Sequence, residues 1–387
     1  MGISVGLVGL GAFGSEFAGL FKSHPLVDRV AFCDLEPDRV ARFAGNPAFQ
    51  DKFRPSDVYY SVEEICKSDL DALAVITQPW LHAGQAIRAM EAGKHVYSAV
   101  PVINLPDGDE TLEWCDKLIG ACKRTGMLYM LGETTYFRPE TMYCRRRAAE
   151  GAFGSFVHAE GHYLHDRHSP TCNLDEVKRN RMSSKAGREW AEELRKYEAR
   201  GIMGGPSHYP THSVSGPMSV MKAHAVKVSA WGYNADRNAR PKEFSNETSL
   251  FRMSNGTTML IKEYRQVGHE ELESFNLYGT DGSFVAYTWR DKAKSANLTV
   301  DEMRDPLPEE VAAAFRKFYG GEDFYGGHGG SHAYLVHEFI DAVANRRQPE
   351  INAWEAVRYM AAGVMAHKSA LRDGELLDVP DWGDAPI

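Results

Sequence analysis

Gly9, Gly11 and Gly14 are spaced as GxGxxG, directly after an apolar run at 4–9 and at the start of a helical pattern at 12–22. No other feature constrains the chain as much. Glycine at these positions lets the backbone turn sharply, approach a pyrophosphate and pack the helix closely on the strand, with the helix N-terminus facing the anion. Asp34 ends the next apolar run, 20 residues past Gly14, where a carboxylate binds a ribose 2′-hydroxyl and repels a 2′-phosphate. The expected cofactor is therefore NAD rather than NADP. The plainer reading of Asp34 is a turn-starting acid before Glu36 and Pro37.

The surrounding rhythm agrees with that motif. Apolar runs at 29–34, 72–77, 95–98 and 127–132 alternate with amphipathic patterns at 81–92 and 107–125, which predicts a doubly wound parallel sheet. From about residue 153 the chain changes to longer β-branched and aromatic segments at 156–164, 225–233, 248–253, 257–264, 273–278 and 283–287. These predict an open, mostly antiparallel sheet. The expected architecture is α/β, with a dinucleotide-binding domain at 1–135 and a substrate-binding α/β domain at 136–387. The C-terminal helical patterns at about 333–372 are expected to pack back on the first domain. A polar, basic stretch at 173–200 interrupts the second domain; long insertions in compact domains usually carry function.

Composition removes several classes. With 44 basic against 53 acidic residues the net charge is −9, so nucleic acid and anionic membrane surfaces are unfavourable partners. No run of about 18 uncharged apolar residues is present, so no membrane span is expected. The six cysteines, Cys33, Cys66, Cys115, Cys122, Cys144 and Cys172, form no CxxC pair and read as reduced thiols. The expected location is cytoplasmic.

Candidate chemistry collects at predicted strand ends. Thr77, Trp80 and His82 in TQPWLH follow the run at 72–77, at the carboxyl edge where open α/β sheets bind ligands; Trp80 reads either as a wall for the nicotinamide or as helix-start packing. Glu133 follows another such run and reads either as a ligand-binding carboxylate or as a solvated loop glutamate. Tyr163 and His165 share one strand face, opposite His162 and Leu164, and read as an acid/base pair or as packing residues. In HYPTH, Pro210 suits a first helical turn and would put Tyr209 and His212 on one face. His328 sits among glycines in a segment that reads either as a loop able to close over a substrate or as a plain turn. His162, His165, Asp166, His168, His208 and His212 lack any HExxH-like spacing, so no metal is expected.

The motifs GLGAFG, TQPWLH, AGKHVYSAVP and IDAVANRRQPEINAWEAVRY resemble the Gfo/Idh/MocA oxidoreductase family over nearly the whole chain. That resemblance implies a Rossmann domain, a second α/β domain with an open sheet, and an active site between them. Most members carry Glu-Lys-Pro after GKHV; here Ala99, Val100 and Pro101 stand instead, so Val100 replaces the usual catalytic lysine. A narrower set, GETTYFRPE, GAFGSFVHAEGHYLHD, HYPTHSVSGP and GHGG, resembles the NAD-dependent α-N-acetylgalactosaminidases built on this fold, which also lack the lysine. By that resemblance Glu133, Tyr163, His165, Tyr209 and His212 fall at sugar-binding and catalytic positions. Ser213 and Ser215 depart from the glycine and leucine of that branch, which leaves the substrate open.

What the resemblance implies is oxidation of a sugar carbinol at carbon 3, removal of the carbon 2 proton by Tyr163, elimination, hydration and return of the stored hydride. His212 would polarise or deprotonate the carbon 3 hydroxyl. The net result is glycoside hydrolysis, for which NAD-dependent enzymes are exceptions to the two-carboxylate route. A net sugar or polyol dehydrogenase and a non-catalytic NAD- or sugar-binding regulator remain as alternatives. A small sugar or glycoside is the expected ligand, and a homo-oligomer through the open sheet the expected assembly.

Overall fold

The computed structural model describes residues 2–167, 169, 174–235, 242–268, 271–321 and 323–386. Cys172 and His168 lie outside the described residues; the other five cysteines are buried free thiols.

Strands β1 (Ile3–Val8), β2 (Val27–Cys33), β3 (Phe53–Tyr59), β4 (Ala72–Val75), β5 (His95–Ala99) and β6 (Tyr129–Gly132) form an all-parallel sheet in the order β3-β2-β1-β4-β5-β6. β1 and β4 are neighbours whose following helices leave in opposite directions, so a crevice opens at their carboxyl ends. β3 was not expected from the sequence. It is an edge strand containing Pro55, with Arg54, Pro55 and Ser56 exposed, and at an edge neither a hydrophobic run nor every N–H donor is required.

The second sheet contains β7 (Phe156–His165), β8 (Ala225–Tyr233), β9 (Asn246–Met253), β10 (Thr258–Tyr264), β11 (Glu271–Gly279), β12 (Gly282–Val285), β13 (Thr288–Asp291), β14 (Ser295–Asn297) and β15 (Leu377–Asp378). Their order is β14-β13-β12-β11-β7-β10-β9-β8-β15. Within this second sheet, only the β7–β10 pair is parallel among the described strands. The outer face leaves Trp231 and Leu250 exposed.

The inner face changes character along the strands. At one end it is apolar: Ala159, Phe251, Met259, Ile261, Phe275 and Leu277 are buried beneath the helix Thr211–Met221. At the other end the same alternation places Glu247, Glu263, Tyr163 and Glu273 in one row across β9, β10, β7 and β11. The helix Ala353–Leu371 packs both on β8 and on the helix Gly108–Thr125, and His332–Asn345 packs on Ala12–Ser23. The Leu131 N–H donates to Ile351 O at 2.9 Å, so the C-terminal segment also covers the free edge of β6.

Gly161 is what lets the helix Thr211–Met221 settle on β7. A Cβ at that position would lie 2.0 Å from Ser213 O. Gly161→Ala should therefore push the helix off the strand, lowering unfolding free energy by about 1–3 kcal/mol in urea titrations, with loss of activity because Tyr163 and His212 separate. Unchanged stability would show that the helix does not depend on this close approach.

Candidate active site

A cavity of about 1080 Å³ runs from the glycine turn after β1 to the ionisable end of the second sheet. The turn fits a pyrophosphate. Gly9 has φ +95°, and a Cβ there would meet Ile76 O at 2.3 Å; a Cβ on Gly14 would meet Gly9 O at 2.0 Å. At Gly11 the nearest atom to such a Cβ is Arg39 Nη1 at 3.8 Å, so the backbone is open toward the cavity. The helix Ala12–Ser23 begins there with no side chain capping it, which leaves its first N–H groups to an anion.

Asp34 lines the same cavity. Its Oδ2 accepts the Leu10 N–H at 2.7 Å and its Oδ1 the Glu36 N–H at 2.9 Å, so part of its work is to hold the glycine turn. Arg39 Nη1 stands 3.5 Å from Oδ2. Thr77 and Trp80 also line the cavity; Thr77 Oγ1 donates to Gln85 Oε1, and Trp80 stacks on Trp190 at 5.3 Å with planes 7° apart. His82 lines the same cavity. Its ring is buried, with Nδ1 2.9 Å from Pro101 O and Nε2 3.2 Å from Thr77 O, so it ties together the loops after β4 and β5. Burial lowers it to about 4, so the neutral ring carries one N–H and donates to one of these two carbonyls at a time.

At the other end the Tyr163 hydroxyl donates to His165 Nδ1 at 3.0 Å. Burial pushes the phenol well above its ordinary range even though Arg265 lies over its ring at 4.3 Å. Burial, then Arg265, lowers His165 to about 4, so His165 is a neutral acceptor for the phenol proton. His212 is the opposite case. Burial works against its charged form, but Glu133 and Glu273 outweigh that and raise it to about 9. A raised affinity for the proton suits polarising a hydroxyl, one of the two roles expected of His212.

Glu133 is a correction. It is fully buried and does not line the cavity; its Oε1 accepts His212 Nδ1–H at 3.0 Å and the Thr135 N–H at 2.8 Å. Its Oε2 is buried without a partner. Tyr209 is also placed differently from the sequence reading. Pro210 is the N-cap and Tyr209 precedes the helix, yet its ring reaches His212 at 5.5 Å and Tyr163 at 6.3 Å. Its hydroxyl donates to Val100 O at 3.3 Å, fastening the loop where the family lysine would stand. Ser213 and Ser215 are buried and line no part of the cavity; Ser213 Oγ donates to Glu263. His328, at φ +51°, lies 3.1 Å from His332 Nε2 through its Nδ1, with its ring 6.5 Å from that of His212.

The sequence reading missed Glu263, Glu271, Glu273, Arg138 and Arg265. Glu271 and Glu273 line the cavity, and Arg138 pairs with Glu273. Glu263 accepts from Arg265 Nη2 at 2.7 Å, and burial still raises its carboxyl to about 7. A signal existed: each glutamate sits at the parity of an otherwise apolar face, Glu273 before Phe275 and Leu277, Glu263 after Met259 and Ile261. Among the described residues no group of three or more His, Cys, Asp or Glu could hold a metal ion.

A dinucleotide crevice opening onto the ionisable face of a second sheet defines a nucleotide-dependent oxidoreductase fold. Residues 3–133 match the oxidoreductase family with NAD-binding Rossmann fold (Gfo/Idh/MocA), and residues 244–385 match the C-terminal domain of glycosyl hydrolase 109. The chain thus carries a Gfo/Idh/MocA-type NAD-binding domain followed by a glycosyl hydrolase 109 C-terminal domain. A glycosyl hydrolase family 109 protein of Stenotrophomonas maltophilia (strain K279a) is 24% identical over 421 residues, covering 97% of this chain and 89% of the relative. One from Streptomyces niveus is 26% identical over 409 residues, covering 98% and 77%. In fold, levoglucosan dehydrogenase in complex with NADH and levoglucosan is similar at TM-score 0.73 and 18% identity, over 98% of this chain and 100% of that one. Scyllo-inositol dehydrogenase from Lactobacillus casei with NAD(H) and scyllo-inositol is similar at 0.66 and 16%, over 98% and 99%. No helix among the described residues is long and apolar enough to cross a membrane.

Two outcomes are expected. Asp34→Ala should weaken NAD binding by roughly tenfold or more, the scale of lost buried hydrogen bonds, and narrow the preference over NADP because Arg39 is freed; calorimetry with both cofactors checks this. Glu133→Gln should return the His212 titration from about 9 toward the ordinary imidazole range, read by NMR of the ring protons. A titration that does not move would separate the two residues.

Proposed function

We propose that this protein is an NAD-dependent enzyme acting on a sugar ring, whose net reaction is redox-neutral glycoside hydrolysis beginning with oxidation at carbon 3. One observation carries the reading: a single cavity joins the dinucleotide turn to the Tyr163–His165 and Glu133–His212 pairs, with Val100 in place of the family lysine. The names of the glycosyl hydrolase 109 relatives and the sugar or polyol ligands of the structural neighbours support the substrate class.

Gly9, Gly11, Gly14 and Asp34 would hold the cofactor. NAD, when bound, would supply the hydride acceptor for carbon 3; the hydroxyl proton released with it would pass to a carboxylate lining the cavity, Glu271 or Glu273, and hydride and proton would both return when the carbonyl is reduced. His212, held protonated, donates to the carbon 3 oxygen and stabilises negative charge that develops there when the adjacent carbon 2 proton leaves. Tyr163 takes that proton as its own passes to His165 Nδ1, so the buried phenol need not ionise beforehand. The bond from carbon 1 to its leaving group then breaks with the electron pair going to the leaving oxygen. Water adds across the double bond, its hydroxyl to carbon 1 and its proton to carbon 2, and the carbon 3 carbonyl is reduced. Tyr209 keeps the Val100 loop in place.

Product formed in heavy water should carry deuterium at carbon 2, visible by NMR, with no net accumulation of NADH. Tyr163→Phe retains the ring but lacks the hydroxyl, so turnover and exchange should fall by a factor on the order of 100 or more while NAD binding persists. Product without carbon 2 deuterium would overturn the elimination route, and stoichiometric NADH would assign a net dehydrogenase.

A further inference from the structure

A second cavity of about 500 Å³ lies against the catalytic one. The two share Pro79, Trp80, Tyr163, Val177, Arg181 and Tyr209 as walls. Its lining includes Arg167, Lys178, Arg181 and Arg265, and no Asp or Glu. That is against the trend of a chain with net charge −9. Arg265 is committed to Glu263 and to the face of Tyr163. Arg167, Lys178 and Arg181 have no acidic partner among the described residues.

The other lining groups suit a saccharide. Trp190 enters from the helix Lys185–Ala199 and stacks on Trp80, and Phe244 adds a further aromatic surface; aromatic faces pack well on the C–H faces of pyranose rings. His208 gives its Nδ1 to Leu105 O at 2.9 Å, which fixes a ring that forms part of the wall. Cations without counter-ions beside aromatic platforms select a ligand that is ring-shaped and acidic.

We propose that this second cavity is the leaving-group subsite and that it takes an acidic saccharide, one bearing a carboxylate or a sulfate. Its place next to the reacting sugar rests on the glycosidase reading above; the anion site itself does not. The insertion at 173–200 then has a specific use: it supplies Lys178, Arg181 and Trp190, three of the groups that would sort leaving groups by charge and shape.

The test uses the whole chain with NAD and has two parts. Calorimetry compares glucuronate, a galactose sulfate and neutral glucose as probes, at low and high salt. Turnover compares nitrophenyl glycosides of one sugar whose aryl leaving group does or does not carry a carboxylate. The acids should bind at least about tenfold more tightly than glucose, less so at high salt, with the carboxylate and sulfate arms showing which anion is preferred. In the Arg167→Gln/Lys178→Gln double variant, both of whose positions are exposed, the acid-over-neutral preference should fall toward one. Equal binding of acids and glucose, or a preference that survives in the double variant, would overturn the subsite. Turnover without acid preference overturns the subsite and keeps the glycosidase; acid binding without any turnover overturns the glycosidase and its leaving-group assignment, leaving only an anion site.

Discussion

Burying a carboxylate is costly unless a hydrogen-bonded partner goes with it, and this fold buries four around its site. Glu133 is matched by His212, Glu247 by His367 and the Ser207 N–H, Glu263 by Arg265 and Ser213, and Glu273 by Arg138. Three of these acids lie in one row with Tyr163 across the second sheet, and apart from Arg265, two residues from Glu263, their partners arrive from elements elsewhere in the chain. His212 comes on the helix Thr211–Met221 and His367 on Ala353–Leu371. Breaking any such pair from one side leaves a buried charge, at a cost of about 3–5 kcal/mol. The charge pattern that holds the two sheets and their helices together is thus the same pattern that sets the protonation of the candidate catalytic groups.

Those protonation states divide the labour. His165 is neutral, and Tyr163 keeps its proton until there is somewhere to send it. His212 is cationic because Glu133 and Glu273 overcome its burial. A neutral acceptor and a fixed cation within one cavity are suited to removing a proton next to a carbonyl while holding the charge that appears on its oxygen.

Legibility in the sequence followed the range of the interactions. The glycine turn, the alternating strands and helices, and the pairing of Tyr163 with His165 depend on neighbours a few residues away. β3 was obscured because an edge strand tolerates Pro55 and exposed polar residues. The helices Leu174–Ser183 and Lys185–Ala199 were hidden in a basic stretch; Trp190 finds its partner at Trp80, more than a hundred residues earlier. Glu133 pointed in an unexpected direction because a strand-end glutamate looks solvated until a histidine from a distant helix covers it.

By itself the sequence determined the dinucleotide turn, the α/β class of each half and the identity of the ionisable residues, because periodicity of 2 or 3.6 and glycine sterics act locally. Tertiary structure decided which glutamates stand beside Tyr163, that His212 carries a proton, and that the insertion walls a second, cationic cavity. Those outcomes depend on strand register and on docking between elements far apart in the chain. A one-residue change of register would turn Glu263 and Glu273 to the opposite face, and no local pattern of residues specifies that choice.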